Sequence, residues 1–146
     1  MYFDNTEQLK DKLVYHSNKD DHYWACEGLV FELFFSADED GPDQKQLDAY
    51  FDFQQESIEY IDKIRDKVVD IFERKKGQAP ARFYWEVPMV DVVNINETGA
   101  DATMDIVLSF RTFKFLFYSR WKTYVAKFKN RELISLEEST LIEQNT

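Results

Sequence analysis

The sequence predicts an α+β domain: a mostly antiparallel sheet with one long amphipathic helix packed on one face. Three observations predict it. Apolar residues recur at three- and four-residue spacing across residues 43–76, the mark of a helix with one buried stripe. Runs of aromatic and β-branched residues with two-residue alternation fill much of the chain on either side. The connections between consecutive strand-like runs are short, which favours antiparallel pairing.

The size suits this architecture. The chain has 146 residues, 44% hydrophobic and 16% aromatic, enough for one packed domain over 1–146. With 4 Gly and 3 Pro it is neither collagen-like nor built of loops. A lone cysteine, Cys26, forms no internal disulfide, so a disulfide-stapled secreted scaffold is excluded. No run approaches about 18 uncharged apolar residues, and Met1–Asn5 shows no basic stretch leading into an apolar one. A reducing, cytoplasmic location is the expectation.

Residues 9–16 carry a weak pattern that fits either a short helix begun near Asp4 or a first strand. Ser17–Asp21 reads as a turn. His22–Cys26 and Leu29–Phe35 read as strands, with Gly28 marking a bulge or bend between them. Leu29, Phe31, Leu33 and Phe35 share one face; Val30 and Phe34 lie opposite with Glu32. Two apolar faces predict a central strand.

Asp38–Asp43 then forms an acidic loop in which Pro42 suits a first helical turn, while Asp40 or Asp43 can cap free N–H groups. Leu47, Tyr50, Phe51, Ile58, Ile61, Ile64, Val68, Ile71 and Phe72 make the buried stripe. Arg74, Lys75 and Lys76 suit the negative end of the helix, and Gly77 suits its left-handed cap. One helix of about 30 residues would span roughly 45–50 Å. Its weakest point is Gln54–Gln55, where a break is the alternative.

Strands are expected again at Phe83–Val87 and Met89–Ile95, with Pro88 placing one of them at an edge or on a bulge. Asn94–Asp101 reads as an exposed loop around Gly99. Ile106–Phe110 follows. Phe113, Phe115 and Phe117 then open an alternating run through Phe128, with a phase slip expected at Ser119–Arg120. A helix over 117–128 competes, and the β-branched and aromatic content favours strand. Lys129–Asn130 reads as a hairpin turn into a returning strand Leu133–Leu136, and residues 137–146 as a frayed tail.

Charge is unevenly spread. The net charge is −10; residues 38–73 hold 12 acidic and 4 basic side chains, residues 106–136 hold 7 basic and 1 acidic. Both blocks can simply be solvated faces. The functional reading is that the acidic helix meets a protein partner with a basic surface through Asp48, Asp52, Glu56, Glu59, Asp62 and Asp66. The basic residues Arg111, Lys114, Arg120, Lys122, Lys127, Lys129 and Arg131 interleave with aromatics, as in a single-strand nucleic-acid platform. Alternation explains them as the wet side of a strand, and they can also pair with the acidic helix across the fold. Nucleic acid and membrane are therefore not expected partners.

No motif points to a particular chemistry. Aligning Gly41 with the sixth position of a calcium loop puts Ser36 first and Leu47 twelfth, so both strong carboxylates are missing and capping accounts for the acids. His22 and Cys26 with His16 offer zinc-ligand types, but four residues along a strand span about 13 Å, too far for one ion. No metal or cofactor is expected. No nucleophile elbow, phosphate loop or dinucleotide fingerprint occurs, and a Cys26–His22 thiolate pair is not supported by spacing. Glu86 and Asp91 are the acids whose apolar surroundings could raise their pKa values. Catalytic residues are thus not assigned. The alternative function is a small ligand-binding or enzymatic domain with a pocket between helix and sheet, lined by Tyr50, Trp85 and Trp121. A homo-oligomer formed through an exposed aromatic strand face is the third reading.

The order of features resembles a group of small uncharacterised bacterial domains, some of them immunity proteins encoded beside polymorphic toxins. The matching pieces are Trp24–Gly28 leading into Leu29–Phe35, the acidic helix 43–76, and Tyr124–Leu133. The resemblance implies a non-enzymatic, toxin-neutralising binding protein and carries over no catalytic residue.

Overall fold

Asn5 starts the first helix: its side chain accepts from Gln8 N at 3.0 Å, and Gln8 Oε1 accepts from Asp4 N at 2.9 Å. The computed structural model in which this is seen describes residues 3–26, 28–77, 88–98, 101–115 and 118–139. Helix α1 spans Thr6–Asp11 and strand β1 Leu13–Ser17. The ambiguous segment 9–16 is thus divided: Leu9 anchors the helix at 0% exposure and Leu13 begins the strand.

β2 (His22–Cys26) pairs antiparallel with β1, and β3 (Glu32–Ser36) pairs antiparallel with β2. β3 is shorter than the expected 29–35 run. Gly28 has φ +90°, and Val30 is 91% exposed, so Leu29–Phe31 forms the bend before the strand rather than its start. Leu33 and Phe35 face the core, and β3 lies inside the sheet between β2 and β4.

Asp43 caps α2 (Gln44–Gln55) through a full capping box: its carboxylate accepts from Gln46 N at 2.9 Å, and Gln46 Oε1 accepts from Asp43 N at 3.0 Å. The single long helix is not what forms. α2 ends at Gln55, Glu56 departs from helical geometry (φ −114°, ψ 30°), and α3 runs Ser57–Lys76. The break lies next to the weak point Gln54–Gln55. Leu47, Tyr50 and Phe53 are buried in α2, and Tyr60, Ile64 and Val68 in α3, while Ile58 is turned out at 76% exposure. The Tyr60 ring packs edge-on against Phe53 and Phe128, with centroids at 5.6 and 4.9 Å. Gly77 ends α3 with φ +87°, its N–H bonded to Glu73 O at 3.1 Å.

The helices carry the chain from β3 to β4 (Met89–Thr98), and this crossover permits the sheet's parallel pair, Leu33 beside Val93 and Phe35 beside Ile95. β4 has a register shift between Val90 and Val92, just after Pro88. β4 and β5 (Asp101–Phe115) stay paired out to Thr98 and Asp101, so most of the expected loop 94–101 is strand. Asn94 and Asn96 mimic loop composition because they sit on the sheet face opposite the helices. There Ser36 Oγ donates to Asn96 Oδ1 at 2.8 Å, and Asn96 Nδ2 to Asp105 Oδ2 at 3.1 Å.

The alternating run 113–128 is likewise two strands. β5 ends at Phe115, β6 (Tyr118–Lys129) begins at Tyr118, and these two residues pair. The irregularity falls between Phe113 and Phe115, not at Ser119–Arg120. Neither Gly nor Pro marks the reversal. β6 is strand throughout, and β7 (Glu132–Glu138) returns beside it. The turn is Asn130–Arg131, one residue later than expected, with φ 51° and 66°. Two positive φ values are the signature of a type I′ turn, whose twist suits a hairpin. Glu137 and Glu138 belong to β7 rather than to a frayed tail, and Ser139 N–H bonds Thr123 O at 2.8 Å. The expected strand 83–87 and residues 140–146 lie outside the described residues.

Among the described residues the sheet is seven-stranded in the order β1 to β7, antiparallel except at β3–β4. α2 packs over β4 and β5, and α3 reaches β7. Between the layers lie Leu33, Phe35, Tyr50, Ile64, Val93, Ile95, Ile106, Leu108 and Phe128, each at most 1% exposed.

Candidate functional site

The break between α2 and α3 faces the β6–β7 turn, and a cluster of charge joins them. Asp52 stands in the last turn of α2, where the helix dipole is negative and a carboxylate is disfavoured. Arg131 meets it from the turn: Nε lies 3.0 Å from Oδ1 and 2.7 Å from Oδ2, and Nη2 also donates to Oδ1. Tyr60 Oη donates to Asp52 Oδ2 at 2.6 Å. Arg131 Nη1 is 3.7 Å from Glu59, which also pairs with Lys63 at 3.4 Å. Lys63 Nζ closes the ring by donating to the Arg131 carbonyl at 2.6 Å. A planar fork matched to a carboxylate, with a third donor on the same acid, fixes the guanidinium in orientation as well as position.

The titration of these groups follows from the geometry. The hydrogen bonds from Arg131 hold the Asp52 carboxyl below its usual 3.8, against the opposing effect of partial burial. Burial first, and then the Asp52 carboxylate, push the Tyr60 hydroxyl well above the usual tyrosine range. The hydrogen bond to Asp52 raises Arg131 further, so it stays cationic at every accessible pH.

Beside this cluster lies a surface cleft of about 640 Å³ between α2, the start of β5 and the β6–β7 turn. Its apolar lining is Ala49, Ala102, Met104, Phe128 and the Tyr60 ring. Lys45, Asp48, Asp52, Asp101 and Arg131 supply its charge.

The six expected contact acids divide. Asp52 and Glu59 are bound into the Arg131 cluster, and Asp62 pairs with Arg65 at 2.6 Å. Asp48 accepts from Gln44 Nε2 at 2.8 Å; among the described residues it makes no ion pair, nor do Glu56 or Asp66. Asp48 and Asp66 are exposed, and Glu56 is half-buried at the helix break. So the face is acidic, but half of its expected charge is already neutralised from within. Of the expected pocket aromatics, Tyr50 does not line the cleft. It is 1% exposed and packs edge-on against Phe3, Phe35 and Phe51. Trp85 and the side chain of Trp121 lie outside the described residues.

The remaining candidates have structural partners. Cys26 is buried. His22 Nδ1 lies 2.9 Å from Tyr15 Oη, while His16 stacks on Tyr23. Among the described residues, His, Cys, Asp and Glu do not assemble in groups of three placed to hold a metal. Asp38 serves its own turn, with Oδ1 accepting from Asp40 N and its carbonyl from Trp24 Nε1. Asp91 accepts from Ser109 Oγ at 2.8 Å; Glu86 lies outside the described residues. In the basic block, Lys122 pairs with Glu138 and Lys129 with Asp101, and Arg131 is the described residue of that block that crosses to the acidic helices. Sequence reasoning named Arg131 only as one of seven alternating cations and did not single out Tyr60 as a partner of Asp52. The available signal was Arg131 following Asn130 at a turn, where glycine would be conformationally natural.

No described helix is long and apolar enough to cross a membrane. Comparison with known protein families, with curated proteins and with solved structures finds no match.

Proposed function

We propose that this chain is a non-enzymatic, cytoplasmic protein-binding domain that meets a partner with a basic surface through the acidic α2–α3 face, as a toxin-neutralising immunity protein would. The carrying observation is Asp48 on the wall of the cleft, with Glu56 and Asp66 further along the helices. None of the three forms an ion pair among the described residues, although Glu56 lies within the field of Arg131, in a chain of net charge −10. Carboxylates already neutralised contribute little to a partner; unneutralised ones steer a cationic surface and speed encounter. Nucleic acid and anionic membranes carry the wrong sign for this face. The test is capture from native lysate at low salt with the parent chain and with Asp48→Lys, Glu56→Lys and Asp66→Lys combined. A basic partner held by the parent, lost on charge reversal and weakened by salt supports the reading. A partner indifferent to both removes it.

The cleft favours a second reading, a small-ligand or enzymatic domain, because an apolar floor with a charged rim is also how small molecules are held. It sits between α2 and the sheet, and its aromatic walls are Tyr60 and Phe128 rather than Tyr50.

A further inference from the structure

We propose that the cleft is an arginine-recognition site, occupied in the free protein by the chain's own Arg131, and that an arginine side chain of the protein partner replaces it on Asp52. This deepens the partner-binding reading of the acidic face and rests on it. Three observations carry the proposal. The first is that these acids already ligate a guanidinium: Asp52 takes the fork of Arg131, Tyr60 Oη steadies the same carboxylate, and Glu59 flanks it. A lysine ammonium cannot reproduce that planar fit, so the site discriminates between the two cations.

The second is that the present occupant is partly exposed and sits on an unfavourable backbone conformation. Arg131 sits in a two-residue turn with φ 66°, a conformation that glycine adopts freely and arginine does not. Its side chain is 47% exposed. Its residue is held from below by Lys63 on its carbonyl, a contact that does not depend on where the guanidinium points.

The third is room for a second chain. The cleft is lined by Asp52, Ala49, Ala102, Met104 and Asp48, apolar surface for an alkyl stem together with an acid that forms no ion pair among the described residues. Arginine is also the cation most enriched among the dominant residues of protein interfaces.

The test uses the full chain and defined probes, Nα-acetyl-arginine methylamide and Nα-acetyl-lysine methylamide, titrated by NMR. Arg131→Gly empties the site while giving the turn the Asn–Gly pair it favours, which keeps the hairpin intact. If Arg131 fills the site nine-tenths of the time or more, emptying it tightens the arginine probe by at least about tenfold over the parent chain. The lysine probe binds Arg131→Gly more weakly than the arginine probe does. Adding Asp52→Asn to Arg131→Gly abolishes the gain. Arg131→Lys, which retains charge but not the fork, is the second variant, and it also binds the arginine probe more tightly than the parent does. Equal arginine binding by the parent, Arg131→Gly and Arg131→Lys overturns the inference, as does a gain that survives Asp52→Asn. Failure here, with partner capture still lost on reversing Asp48, Glu56 and Asp66, leaves the acidic-face reading standing and removes only the arginine site.

Discussion

Arg131 and Asp52 stand 79 positions apart in the chain, and the guanidinium of one grips both carboxylate oxygens of the other. This one contact ties the tip of the β6–β7 hairpin to the point where the helical layer breaks. Tyr60 joins the two layers at the same place, its hydroxyl on Asp52 and its ring against Phe128.

The turn conformation at Arg131 ranks its substitutions. Alanine removes the guanidinium and keeps a side chain at φ 66°; glycine removes it and relieves the backbone. Arg131→Gly is therefore expected to retain more stability than Arg131→Ala. Urea denaturation of the two variants checks this; the reverse order would mean that the backbone strain at this turn is negligible.

The Asp52–Arg131 pair sets a pH dependence. The folded carboxyl titrates below the usual 3.8, so the unfolded chain binds the proton first as acid is added. The stability from this pair is fully present above the unfolded value and is lost as pH falls through the lower, folded one. The stability gap between the parent and Asp52→Asn is thus expected to be constant above about pH 5 and to shrink below about pH 4. Chemical denaturation across that range measures it, and a gap that widens on acidification contradicts the assignment.

Tyr60→Phe keeps the packing against Phe53 and Phe128 and deletes one donor to Asp52. The expected cost is about 1.5–3 kcal/mol, the worth of a hydrogen bond to a charged group. A cost near zero in thermal or urea unfolding would show that water replaces the hydroxyl without loss.

Gln46 is 0% exposed, and its side-chain amide donates to Ser36 O at 2.9 Å and Ile95 O at 3.2 Å while its oxygen caps Asp43. It stitches the end of β3 and the neighbouring Ile95 of β4 to the start of α2. Gln46→Ala strands buried carbonyls and opens a void, so a loss of about 2–4 kcal/mol is expected. Gln46→Glu places a charge against two carbonyl oxygens and is expected to cost more at neutral pH than at pH 4. Equilibrium unfolding at the two pH values checks both statements.

Local chemistry made the class of fold readable from sequence. The capping acid Asp43 and the glycine that ends the helical layer at positive φ reflect interactions within a few residues and form as expected, whereas the helical stripe forms as two helices instead of one. Where the sequence reading went astray, the deciding partner lay far along the chain. Asn96 looks like a loop residue until Ser36 and Asp105 stand beside it, and Asn94 until it pairs across the ladder with Asp105. Tyr50 looks like a pocket residue until Phe3 and Phe35 close over it. The reversal after Phe115 carries no glycine or proline to announce it.

From its sequence alone, then, this protein is an acidic α+β domain with a helical layer over a mostly antiparallel sheet, because periodicity and charge count are local properties. Tertiary structure decided which acids remain available. Asp52 and Asp48 lie on the same helix, four residues apart, and sequence gives no ground to rank them. Folding swings Arg131 onto one and leaves the other facing the cleft. The strength of an ion pair depends on distances and burial that only the assembled layers supply.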